Sequence, residues 1–235
     1  MRGGMMQAPH TTPSVFRDRS DAGRKLAELL VRYSGPNTVV YAIPNGGVVV
    51  GFEVAQMLHA PLGLAVIGTI AHPISPSFAV CAVTEHGDRV CDEFGMYALD
   101  EKWVEHQTEI TRRTISDRCA FFGVSDDNDL SGKTVIIVDD GMVTGLPMKA
   151  AITLLRQRNP KQLIAAAPSA PIEIVEKIAK LVDDVEVLTP DKQYRGVTRA
   201  YYEHFPTVTD AEVTEMLHRH ALLHGAGVHT MRPQK

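Results

Sequence analysis

The chain has 235 residues with 24 Lys and Arg against 28 Asp and Glu, a formal net charge of −4, and 44% hydrophobic residues. That size and composition suit one globular domain with a full core, and the charge excludes a global basic field for nucleic acid or anionic membrane. No stretch is apolar for the 18 residues of a membrane span, and Met1–His10 lacks the apolar core of a signal peptide.

Residues 1–15 read as a disordered leader rich in Pro, Thr, Gly and Met. Asp18 or Ser20 caps a helix to about Tyr33, with Leu26, Leu29 and Leu30 on one face. Thr38–Ile43 is a short buried strand, Pro44–Gly47 a turn, and Val48–His59 a helix. Leu62–Ile70 reads as one strand, and residues 71–79, with two prolines and two serines, as a mobile loop. Val80–Thr84 and Arg89–Asp92 flank His86-Gly87-Asp88 as in a hairpin. A long helix covers Leu99 to about Phe122, with Trp103, Ile110 and Ile115 as apolar contacts, and residues 124–132 form a polar connector.

Val135–Val138 is β-branched throughout and reads as a buried parallel strand. Asp139 and Asp140 stand at its carboxyl end, a loop with Thr144 and Gly145 follows, and a helix runs from Pro147 to Arg158. Ligands of open α/β sheets sit at the carboxyl ends of strands, and a loop opening a helix offers N–H groups to phosphate. Two carboxylates beside such a loop suit a sugar diol or hydrated Mg²⁺. Further strands at Gln162–Ala167 and Val185–Leu188, a helix at Pro171–Leu181, an irregular segment at 189–208 and a last helix at Asp210–Leu223 complete the pattern. It is α/β: a doubly wound, mostly parallel sheet flanked by helices, with a small hood segment. The domain spans 16–223, with a flexible tail over 224–235.

The strand, acid pair, Thr144-Gly145 and helix resemble the phosphoribosyl pyrophosphate (PRPP) signature of the type I phosphoribosyltransferases. Pro44-Asn45-Gly46-Gly47 resembles that family's pyrophosphate loop, and the order of elements from Phe16 to Leu217 resembles a bacterial subgroup of it. The resemblance implies that Asp139 and Asp140 hold the ribose and stabilise its developing cation, with Mg²⁺ bound through water. It implies that Gly141, Met142, Val143, Thr144 and Gly145 cradle the 5′-phosphate, and that Asn45, Gly46 and Gly47 meet the pyrophosphate. The implied reaction moves ribose 5-phosphate to a nucleobase or other small acceptor, in a homodimer; the charge, the cysteines and the lack of a signal peptide or span point to a cytoplasmic protein without nucleic-acid or membrane partners.

The chain departs from that pattern. Asn45 replaces a basic residue, and Leu146 and Pro147 replace a small residue and a hydroxyl, so Pro147 brings neither N–H nor O–H. From Ala60 to Asp88 there is no Lys or Arg, Thr69 stands where the catalytic loop starts with a cation, and His72 is the candidate substitute. A catalytically altered protein that senses PRPP or a nucleotide is the alternative. Tyr194, Tyr201, Tyr202 and Phe205 either hood the acceptor or cover the core. Lys149, Arg156 and Arg158 read as a solvated helix face. His220 and His224, spaced as His-x-x-x-His near His218 and His229, read as a polar helix end before a metal site. Cys81, Cys91 and Cys119 show no framework, which argues for a reducing compartment.

Overall fold

The computed structural model describes residues 15–97, 99–124 and 129–224, the side chain of residue 224 excepted. The expected leader and tail fall almost wholly outside these residues. Among the described residues, no helix is long and apolar enough to cross a membrane.

Helix α1 (Arg19–Leu30) starts on Asp18, whose side chain accepts from the Asp21 amide, as the cap signal predicts. A 3-10 turn follows at Val31–Tyr33. Strand β1 (Thr38–Ala42) leads through the 44–47 turn into α2 (Gly46–Leu58), which closes on His59 in the left-handed conformation. The stretch expected as one strand at 62–70 is two, β2 (Leu62–Leu64) and β3 (Gly68–Ala71), in different sheets. The buried apolar run Leu64–Ile67 hid the break. Gly68 marks it, because a Cβ there would stand 2.4 Å from Thr111 Cγ2. Strands β4 (Ala79–Val83) and β5 (Arg89–Cys91) form the expected hairpin. Helix α3 (Glu93–Met96) was not expected, and α4 (Glu101–Phe122) was.

Strand β6 (Thr134–Val138) precedes α5 (Leu146–Arg156), then come β7 (Gln162–Pro171), α6 (Ile172–Ile178), β8 (Asp184–Asp191) and α7 (Asp210–His224). The main sheet runs β2-β1-β6-β7-β8, all parallel. A separate antiparallel sheet runs β3-β4-β5. Val135–Val138 are fully buried, each worth about 1.5–3 kcal/mol of apolar burial. Core lies on both faces: Leu26, Val54 and Ile136 on one, Leu155, Ile137 and Leu163 on the other.

Several side chains depart from expectation. Cys81 and Cys91 are direct partners across β4 and β5 and are joined in a disulfide, leaving Cys119 as the buried free thiol. A two-strand register was needed to bring them together. His220 is buried core, with Nε2 3.1 Å from the Ala60 carbonyl and an edge against Phe52. No cluster of metal-ligating side chains occurs among the described residues. Arg158 is not a solvated residue: it pairs with Glu85 at 3.1 Å.

Candidate active site

The strand order reverses between β1 and β6, the place where open α/β sheets form a ligand crevice. Both sequence motifs leave the carboxyl ends of these two strands. The structure brings Asp139, Asp140, the 141–145 loop and the 44–47 loop together there. Two glycines show how closely: a Cβ on Gly46 would stand 1.9 Å from Asp140 Oδ2, and one on Gly47 3.1 Å from Asp139 Cα. The Pro44–Asn45 peptide is cis, and α2 begins immediately after it; the Val48 amide donates to the Asn45 carbonyl at 3.1 Å, while among the described residues the N–H groups of Gly46 and Gly47, at the helix start, engage no backbone acceptor.

The two acids differ. Asp140 Oδ2 accepts from Arg19 Nε at 2.6 Å, and its backbone carbonyl accepts from the Tyr202 hydroxyl at 2.6 Å. Asp139 Oδ1 accepts from the Asp140 amide at 2.8 Å. Burial pushes the Asp139 carboxyl well above the ordinary 3.8, and the like charge of Asp140 adds to this. The pair is therefore short of positive charge, and its oxygen donors suit a hard divalent cation.

The 141–145 loop is shaped as an anion cradle. Gly145 adopts φ 70°, and a Cβ there would meet Ile174 Cγ2 at 2.8 Å. Among the described residues the N–H groups of Gly141, Val143, Thr144 and Gly145 engage no protein partner. Met142 is the exception: its amide donates to the Ser169 carbonyl at 2.9 Å and its side chain is buried, so it anchors the loop. Thr144 Oγ1 accepts from the Leu146 amide at 3.3 Å, and Pro147 lies in the first turn of α5.

Two expected contacts are placed elsewhere. Asn45 directs its side chain away from the acids. Its Nδ2 donates to the Val208 carbonyl at 2.9 Å and to Asp210 Oδ1 at 2.8 Å, while its Oδ1 accepts from Arg118 at 2.6 Å. Asn45 therefore ties the loop to α4 and α7, and leaves only backbone to a ligand. His72, between β3 and β4, makes local contacts: Nδ1 accepts from the Ile74 amide at 3.2 Å. Thr69 is exposed on β3, opposite Ala82.

The aromatic segment proves to be support. Tyr201 and Tyr202 are buried with Phe16 and Ala22, and Tyr194 stacks on Tyr201 at 5.1 Å. Burial pushes the Tyr202 phenol far up, and the Asp140 charge adds to this, so it acts as a neutral donor. Thr198 reaches the 141–145 loop, since a Cβ on Gly141 would meet its Cγ2 at 2.5 Å. Sequence reasoning missed Arg19, Thr198 and Ser169. For Arg19 one signal existed: a cation in the first turn of a helix opposes the dipole and asks for a partner.

The sequence model of the phosphoribosyl transferase domain matches residues 17–203. The chain belongs to that family. This phosphoribosyl transferase domain protein is 34% identical over 212 residues to the Mycobacterium tuberculosis protein Rv0571c, which is named as a phosphoribosyl transferase. The match covers 87% of this chain and 47% of that protein, so the chain spans about half the length of the curated relatives it matches. The protein TT1426 from Thermus thermophilus superposes with a TM-score of 0.70 at 33% identity, over 86% of this chain and 97% of that one. The parallel sheet flanked by helices is thus the fold of this phosphoribosyl transferase family member.

Proposed function

We propose that the protein binds PRPP or a related phosphoribosyl ligand with Mg²⁺ and transfers ribose 5-phosphate to a nucleobase or other small acceptor, releasing pyrophosphate. The observation that carries this reading is the contact between Gly46 and the Asp140 carboxylate, which brings the unengaged N–H groups of Gly46 and Gly47 to the same acid pair that the 141–145 loop follows in the chain. A ligand with phosphate at both ends and a polar ring between them fits that order. The amides of Gly141, Val143, Thr144 and Gly145 and the Thr144 hydroxyl bind the 5′-phosphate, with Met142 anchoring the loop from its amide to Ser169, and the amides of Gly46 and Gly47 face the pyrophosphate. As the bond from ribose C1 to the pyrophosphate oxygen breaks, the ribose becomes cationic, and the adjacent carboxylates of Asp139 and Asp140 stabilise it. Asp139 and Asp140 would hold Mg²⁺, which would supply positive charge beside the phosphate oxygens.

The experiment is calorimetric titration of PRPP with and without Mg²⁺, followed by a pyrophosphate-release assay over a panel of nucleobases. Mg²⁺-dependent binding with release of pyrophosphate supports the transferase. One observation favours a second reading, a PRPP- or nucleotide-sensing protein: the Asn45 side chain is committed to Asp210 and Arg118. Binding without release across the panel would select it. Light scattering of the purified chain tests the homodimer expected of this family.

A further inference from the structure

Arg19 is 8% exposed in the first turn of α1, where a cation is disfavoured by the helix dipole and by burial. Its surroundings explain why it is there. Nε donates to Asp140 Oδ2 and Nη1 to the Pro206 carbonyl, each at 2.6 Å, and the guanidinium lies 3.6 Å from the centre of the Phe205 ring. The plane of the fork is therefore fixed from two edges and one face. Nη2 engages no protein atom among the described residues and is not sealed from solvent. Arg19 also borders the other loop, for a Cβ on Gly46 would stand 2.8 Å from Nε. A positioned guanidinium with unengaged N–H donors thus sits at the junction of the acid pair and the 44–47 loop.

We propose that Arg19 supplies, from α1, the positive charge that binds the pyrophosphate end of the ligand. The 44–47 loop lacks such a charge at Asn45, and the chain lacks one from Ala60 to Asp88. The assignment rests on the reading of a phosphoribosyl ligand, and it deepens that reading by identifying the cationic contact. Guanidinium is suited to it, because its planar fork can keep the Asp140 bond while presenting N–H groups to a phosphate oxygen. A purely structural Arg19 would instead serve only to hold Asp140.

Inorganic pyrophosphate, PRPP and ribose 5-phosphate, each with Mg²⁺, separate the two roles when titrated into wild type, Arg19→Gln and Arg19→Lys, with melting curves as a check on folding. Arg19→Gln should weaken pyrophosphate and PRPP by at least ~10-fold, the loss of a charge-assisted bond. Ribose 5-phosphate, which lacks the pyrophosphate, should stay within about threefold, and Arg19→Lys should recover part of the loss. Unchanged pyrophosphate affinity in folded Arg19→Gln, or an equal loss for ribose 5-phosphate, overturns the assignment. Should Arg19→Gln not fold, Arg19→Met decides on the same ligands: loss for pyrophosphate and PRPP with ribose 5-phosphate held supports the assignment, and unchanged pyrophosphate affinity or an equal loss for ribose 5-phosphate overturns it. Wild type that binds pyrophosphate but not PRPP removes the phosphoribosyl reading and leaves Arg19 as an anion contact. Wild type that binds neither overturns both.

Discussion

Gly46 and Asp140 touch: a Cβ built on Gly46 would lie 1.9 Å from Asp140 Oδ2, closer than any side-chain carbon can approach. The absence of a side chain at position 46 is therefore what lets the loop after β1 and the acids after β6 share one site. Gly46→Ala should displace either the acid pair or Arg19, whose Nε is 2.8 Å from the same point. The expected cost is about 1–3 kcal/mol of stability, from overpacking, together with loss of Mg²⁺-dependent PRPP binding. Gly35→Ala is the control, since its Cβ would meet only Thr38 Oγ1 at 3.8 Å. Normal PRPP affinity in Gly46→Ala would show that the contact does not shape the site.

The acids should separate in stability but not in binding. Burial disfavours the charged form of the Asp139 carboxyl, and the Asp140 charge adds to this, so Asp139→Asn should leave the melting temperature unchanged or raise it. Asp140 is paired with the buried Arg19, so Asp140→Asn should cost about 1–3 kcal/mol by weakening the partner of a buried cation. Both should abolish Mg²⁺-dependent ligand binding. Thermal melts and titration of each variant test this; equal melting shifts for the two would contradict the asymmetry.

The switch point was legible because each motif is a local object. A β-branched run, two acids and a Thr-Gly loop occupy adjacent positions, as do Pro44 to Gly47, and strand alternation places both at the same edge. Contacts made across the chain were not legible. Arg19 lies 121 positions from Asp140, and Asn45 165 from Asp210. No periodicity or spacing links such pairs. Cys81 and Cys91 are a third case, since their pairing depends on the register of β4 with β5. The split of 62–70 into two strands escaped for a different reason: the chain passes from one sheet to the other through Leu64–Ile67, an apolar buried run with no turn residue in it, and the exposed positions of β3, Thr69 and Ala71, come only after the crossing.

The Asn45–Arg118–Asp210 clamp has a defined acid limit. Burial pushes the Asp210 carboxyl up, but hydrogen bonds from Arg118 and Asn45 and the Arg118 charge outweigh this and hold it below the ordinary 3.8. A carboxyl depressed in the folded state contributes stability that is fully present above the unfolded value and lost as pH falls through the folded one. The contribution should therefore be constant from pH 7 to 5 and disappear below about 3.8. It should be small, under about 1 kcal/mol, because the Asp210 side chain is 40% exposed. Urea midpoints of wild type and Asp210→Asn against pH test this. A gap between them that changes between pH 7 and 5 would place the titrating group elsewhere.

Restoring the family's residues at the two departures should have opposite effects. The Asn45 side chain points at Arg118, 2.6 Å from its Nη2. Asn45→Arg therefore sets a second guanidinium against the first and removes the acceptor that Arg118 uses. It should lower the melting temperature and bring no gain in PRPP affinity. Pro147→Thr acts differently. Pro147 lies in the first turn of α5, beside the 141–145 loop. A threonine there adds an N–H and a hydroxyl on the side where free amides already gather. One further charge-assisted bond should raise affinity for PRPP and ribose 5-phosphate alike, by about 3- to 10-fold. The two single variants, titrated with both ligands, check this. A gain from Asn45→Arg confined to PRPP would mean that the loop turns this side chain toward the pyrophosphate, and that the contact with Asp210 yields when ligand binds.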